Sequence, residues 1–136
     1  MSTPDEDAEA GLVRRWRDLL ACYSTVSCSL EAALQDAHGM GLSEFEVIDR
    51  LAEADSGPRP MRDLGAEMYL SQSALSRTVA RLEREGLVER TMCADDRRAV
   101  FVDLTETGRA LHDEARPTHR RHLADHLASR PRPTGG

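Results

Sequence analysis

Ser71, Ser73, Ser76, Arg77 and Arg81 fall in one stretch without Gly or Pro, and Arg97 and Arg98 follow in the polar run CADDRR. Hydroxyls at that density bond base edges or phosphate oxygens, and a guanidinium can grip guanine or phosphate with two parallel N–H groups. This is the chemistry of recognition. The sequence offers no nucleophile paired with a base, no carboxylate pair of clear geometry and no Gly-rich loop to cradle a phosphate, so enzymatic activity is not expected.

Those side chains act only if local elements hold them in register. Ser71 can cap a helix by accepting a first-turn amide, and Gln72 to Glu85 contains no breaker. Leu75, Val79 and Leu82 share one face at helical spacing; Ser73, Arg77, Ala80 and Arg84 share the opposite face. One face is core, and the other is short or cationic, as a helix lying in a major groove requires. Ser73, Ser76 and Arg77 are the leading contacts, with Ser71 and Arg81 beside them. A solvated amphipathic helix would share this pattern, so the sequence that follows decides between them. Gly86 suits a left-handed cap, Leu87–Met92 reads as a strand, CADDRR as a turn and Ala99–Leu104 as a second strand. In an extended arm Asp96 and Arg98 share a face and can pair, steadying the tip. Arg97 is then directed at a narrow minor groove, where the potential favours arginine.

The order helix, GLVER, strand, DDRR, strand, LTETG resembles the multiple antibiotic resistance regulator (MarR) family of bacterial winged helix-turn-helix transcription factors. Asp96, Arg98, Leu104, Thr105 and Gly108 match the family's wing pattern. Ser76, Arg77, Leu82, Glu83, Gly86, Leu87 and Val88 match its helix pattern. The likeness extends more weakly over residues 11–128, and GMGLSEFEVI lacks the Leu-Thr pair expected before such a segment. The resemblance implies a mainly α fold with a small two- to three-stranded β wing, a winged helix-turn-helix core flanked by N- and C-terminal dimerisation helices. It also implies a repressor whose small anionic or aromatic effector binds between the dimer helices and the DNA lobe.

The remaining sequence fits one domain over 1–136, with dimerisation helices at 11–37 and 106–128, a DNA-binding lobe at 43–104, and flexible tails at 1–10 and 129–136. Leu12, Val13, Trp16, Leu19, Leu20, Tyr23, Val26, Leu30 and Leu34 keep helical spacing in a stripe too long and wide for one globular helix. A homodimer on a palindromic duplex is expected, its recognition helices about 34 Å apart, with no folded monomer. Ser43 and Glu46 form a Ser-x-x-Glu box that can start a helix. Ala54–Pro60 reads as loop, Met61–Met68 as the first helix of the helix-turn-helix. Thr105 can cap a helix that Pro117 breaks or kinks before His119–Ala128 resumes.

Net charge is −6, with the deficit confined to residues 1–58, and every basic side chain of the 18 is Arg. Affinity for DNA depends on which cations meet phosphates, so the acidic total does not exclude it. No apolar run reaches the ~18 residues of a membrane span and no signal-peptide pattern opens the chain, which reads as cytoplasmic. Three Cys without paired spacing fit a reducing compartment. The resemblance makes Cys22, beside Tyr23, a candidate thiol sensor, with Cys93 the other; an inert thiol is the plainer reading. His119, His122 and His126 share a helical face and could hold zinc, yet Leu123 and Leu127 alongside favour a dimer-interface place for His119; no metal or cofactor is expected. Trp16, near Arg14, Arg15 and Arg17, is the candidate effector contact. The contrasting function is a winged-helix module that binds protein rather than DNA through its acidic first half.

Overall fold

The structure is a computed structural model that describes residues 4–53, 57–92 and 99–128. The elements run α1 (Pro4–His38), α2 (Leu42–Glu53), β1 (Arg59–Pro60), α3 (Met61–Met68), α4 (Gln72–Arg84), β2 (Val88–Met92), β3 (Val100–Leu104), α5 (Glu106–Leu123) and a π-helical stretch, Ala124–Ala128. This is the mainly helical winged fold that the sequence predicts, with a three-stranded antiparallel sheet ordered β1-β3-β2.

The first helix is longer than expected. Residues 4–10, read as tail, belong to α1 because Pro4 suits a first helical turn and Asp5, Glu6 and Asp7 meet the positive end of the helix dipole. The second helix also begins differently. Ser43 lies inside α2, so the Ser43/Glu46 box does not form; Gly41 stands before the first helical residue and Glu44, three positions on, accepts from its N–H at 3.4 Å. A carboxylate from α1 completes this start, Glu31 Oε2 accepting the Leu42 N–H at 2.7 Å.

The core gathers Phe45, Val47, Ile48 and Leu51 of α2 with Leu64 and Met68 of α3 and Leu75, Val79 and Leu82 of α4. Val88 and Val102 close it from the sheet, and Leu34 and Ala115 from the long helices. Arg59–Pro60, read as loop, is an edge strand pairing Arg59 with Val102 and Pro60 with Phe101. Proline is tolerated there because an edge leaves one side of the strand without ladder partners.

α4 ends in a Schellman cap. Leu87 N–H reaches Leu82 O at 2.9 Å, Gly86 N–H reaches Glu83 O at 3.0 Å, and Gly86 takes φ 76°. The chain then turns straight into β2, so helix and wing share one hinge point. Thr105 caps α5 by accepting the Gly108 N–H at 3.0 Å and donates to Gly86 O at 2.7 Å. Gly108 lies so close to β2 that a Cβ would overlap the Leu87 carbonyl.

α5 runs through Pro117 as one helix, so of the expected break or kink the break does not occur. Proline removes one helical N–H, while polar contacts on either side bind the helix to its neighbours. His112 Nε2 donates to Asp49 at 2.8 Å, Arg120 grips the same carboxylate, and His38 Nε2 meets Thr118 Oγ1 at 2.8 Å. His119 is not an interface residue either: it is 5% exposed and packs against Phe45, ring centroids 4.6 Å apart and planes tilted by 31°.

Candidate DNA-binding surface

Ser71 performs the capping role expected of it, its Oγ accepting the Ala74 N–H at 3.1 Å. That hydroxyl is therefore engaged at the helix start. Past it, Ser73, Ser76 and Arg77 are all exposed on α4, opposite buried Leu75, Val79 and Leu82. Arg77 has no ion-pair partner among the described residues. Its guanidinium is available to a ligand.

The two flanks of α4 differ. On one side Gln72 and Ser76 border a cleft of about 440 Å³ with Pro60, Met61, Arg62, Ala99 and Val100, between the helix and the base of the wing. On the other, Ala74, Arg77, Thr78 and Arg81 border a cleft of about 320 Å³ against Glu31, Gln35 and the start of α2. Arg81 is restrained there by an ion pair, Nη1 to Glu44 Oε1 at 3.2 Å. The wing is fixed to the helix by Arg90 of β2, whose Nε and Nη2 donate to Glu83 Oε1 at 3.1 and 2.8 Å. The same guanidinium holds the Glu83 carboxyl below its ordinary range. Neither the Glu44–Arg81 nor the Glu83–Arg90 contact is legible in the sequence, because each depends on partners brought together by the fold. Asp96, Arg97, Arg98 and Cys93 lie outside the described residues.

An exposed cationic and hydroxylic helix joined to a three-stranded wing is also the arrangement of known proteins. Residues 38–99 match the model of the MarR family. The chain is 26% identical over 126 residues to the HTH-type transcriptional regulator YkoM of Bacillus subtilis, covering 91% of this chain and 78% of that one. It is 30% identical over 78 residues to the homoprotocatechuate degradative operon repressor of Escherichia coli, covering 57% of this chain and 51% of the repressor. Its structure matches Sco3205, a MarR family transcriptional regulator of Streptomyces coelicolor solved in complex with DNA, with TM-score 0.81 and 30% identity over 93% of this chain and 78% of that chain. The chain belongs to the MarR family. It is a DNA-binding transcriptional regulator, in a family of regulators and not of enzymes.

The other expected sites of this MarR-family regulator distribute as follows. Trp16 is 59% exposed on α1 and lines none of the clefts described. Tyr23, seven residues on, does line one, a space of about 450 Å³ shared with Leu42, Ser43, Glu46, Arg50, Met68, Tyr69 and Leu70. Burial raises the Glu46 carboxyl there, against the opposing pull of Arg50. Tyr69 adopts a left-handed φ of 57° at the turn between α3 and α4, a conformation uncommon outside glycine. Cys22 is half-buried and Cys28 exposed, both on α1.

The three histidines considered for zinc part company. His119 packs in the core, whereas His122 Nδ1 and His126 Nε2 both meet Ser29 Oγ, at 3.2 and 2.9 Å. Among the described residues no three His, Cys, Asp or Glu side chains form a metal-binding group. No described helix is long and apolar enough to cross a membrane.

Proposed function

We propose that this regulator acts as a homodimeric repressor that grips a palindromic operator and lets go when a small aromatic anion binds. The observation that carries the dimer is the apolar stripe of α1. Leu12, Val13, Trp16, Leu19, Leu20 and Tyr23 are between 44% and 74% exposed, all on one helix. A contiguous patch of that kind marks an interface. Its occupant is a second copy, because a single winged unit reads only a few base pairs and two-fold pairing sets two units on successive major grooves.

Within each half-site α4 enters the major groove, with Ser73, Ser76 and Arg77 toward the bases. Arg97 is assigned to the minor groove on sequence grounds alone, since it lies outside the described residues. Residues 4–38 and 106–128 supply the dimer, and 42–104 the DNA lobe.

The effector site we favour is the cleft between α1, α2 and the α3–α4 turn. Arg50 supplies a cation for a carboxylate and Tyr23 and Tyr69 supply rings, while the cleft of about 450 Å³ falls in the size range of small-molecule sites. Similarity to a repressor of homoprotocatechuate degradation supports an aromatic acid as the class. Such a ligand releases DNA only by binding the two spacings of the recognition helices unequally. Anisotropy titration of labelled DNA from upstream of the protein's own gene, with and without homoprotocatechuate, tests both steps. Salt-sensitive binding that the acid weakens, and weakens less in Arg50→Ala, supports the proposal; absence of binding even at low salt would favour the protein-interaction module instead.

A further inference from the structure

The start of α2 and the recognition helix meet at one buried carboxylate. The Glu44 side chain is 8% exposed, whereas its partner Arg81 is 61% exposed. Glu44 Oε1 accepts from Arg81 Nη1 at 3.2 Å and, at the long distance of 3.4 Å, from the Gly41 N–H. Glu31, the other carboxylate on this cleft, is occupied by the Leu42 N–H at 2.7 Å and the Gln35 amide at 3.3 Å. Arg81 is thus the cation that answers Glu44.

This bond uses one of the five N–H donors of the guanidinium. The others have no partner among the described residues, and the side chain stands one turn beyond Arg77 on the flank of α4. A mobile arginine gives up side-chain entropy when it meets a phosphate; one already held gives up less. We propose that Glu44 is a positioning residue for DNA binding, holding Arg81 so that the free edge of its guanidinium meets a backbone phosphate. This rests on α4 being the helix that faces DNA.

The sign of the effect separates positioning from plain electrostatics. A carboxylate beside DNA repels it, so Coulomb's law alone makes Glu44→Gln bind more tightly. Positioning makes it bind more weakly. The test uses a duplex selected from a randomised library by wild-type protein, titrated by anisotropy over a range of salt. Glu44→Gln is expected to lose affinity about three- to tenfold, the equivalent of one side chain that must be ordered anew. Arg81→Ala should lower the dependence of log affinity on log salt by about one phosphate contact, and Glu44→Gln should cost nothing further in that background. Arg81→Lys, at an exposed position where folding is not at risk, should keep the salt dependence and lose affinity about three- to tenfold with the fork. Affinity of Glu44→Gln equal to or above wild type, an unchanged salt slope in Arg81→Ala, or wild-type affinity in Arg81→Lys would each overturn the inference while leaving DNA binding by α4 in place. Failure of wild-type protein to select any duplex would remove both.

Discussion

Asp49 of α2 and Arg120 of α5 form a two-pronged ion pair, with Nη2 to Oδ1 at 2.9 Å and Nη1 to Oδ2 at 3.1 Å. His112 donates to the same Oδ1, so α5 is tied to the DNA lobe by charge as well as by apolar packing. Burial pushes the Asp49 carboxyl up, but the Arg120 and His112 hydrogen bonds outweigh it and hold the group below its ordinary value. Removing one partner of a pair this enclosed leaves an uncompensated group, with side-chain exposures of 14% for Asp49 and 32% for Arg120. Asp49→Ala should therefore cost about 2–4 kcal/mol, somewhat less than a fully buried pair. Urea denaturation of the variant measures it.

The same network fixes how stability depends on pH. His119 is held below its ordinary value of 6.5, chiefly by burial and then by Arg120. A histidine with a depressed folded pKa contributes stability that is whole above 6.5 and is lost as pH falls toward the folded value. Asp49 behaves likewise at lower pH, its contribution present above 3.8 and lost below. Acid destabilisation should thus come in two stages, and His119→Leu should shrink the first without altering the second. Thermal melts across the acid range check this, and an unchanged first stage in His119→Leu would count against the assignment.

Gly108 predicts a steric effect of a different kind. A Cβ there meets the Leu87 carbonyl, part of the rigid backbone, whereas a Cβ at Gly65 overlaps the amide end of Gln72 and otherwise only touches Leu75 Cδ2 at 3.4 Å. Gly108→Ala should cost at least about 1–3 kcal/mol as α5 is pushed off β2, and Gly65→Ala should cost less because Gln72 can swing away. Equal denaturation midpoints for the two variants would contradict this ranking.

Much of this architecture was legible in the sequence because its signals are local. The α4 helix announces itself by Ser71, by the spacing of Leu75, Val79 and Leu82 and by Gly86, and each of these features acts within a turn or two. What escaped depends on partners far along the chain. Arg59–Pro60 becomes a strand only because Val102 and Phe101 lie beside it. Ser43 loses its capping place because Glu31, from another helix, already takes the Leu42 amide. Pro117 satisfies the local rule for a break, yet Asp49 is bound on both sides of it by His112 and Arg120. His119, expected at the dimer interface, lies instead against Phe45, a residue more than seventy positions earlier in the chain. Of the candidate site, Ser73, Ser76 and Arg77 could be read from helical phase, but the ties of Glu44 to Arg81 and Glu83 to Arg90 could not.

The apolar stripe of α1 makes a prediction about assembly. Leu19 is 66% exposed in the single chain, so a charge there is harmless to a monomer and ruinous inside a dry interface. Leu19→Asp should shift the sedimenting species from dimer toward monomer at micromolar concentration and, with the second half-site contact gone, weaken operator binding by orders of magnitude. A wild-type protein that sediments as a folded monomer would remove the dimer from the account.

The most direct test of the central claim is the affinity of Arg77→Ala for a duplex that wild-type protein selects, measured by anisotropy alongside a melting curve showing that the variant is folded. The loss expected is about 1–3 kcal/mol per half-site, at least tenfold in a two-fold complex, if the free guanidinium on α4 reads a base edge. A folded Arg77→Ala that binds this duplex as tightly as wild type would contradict the assignment of α4 as the helix that reads DNA.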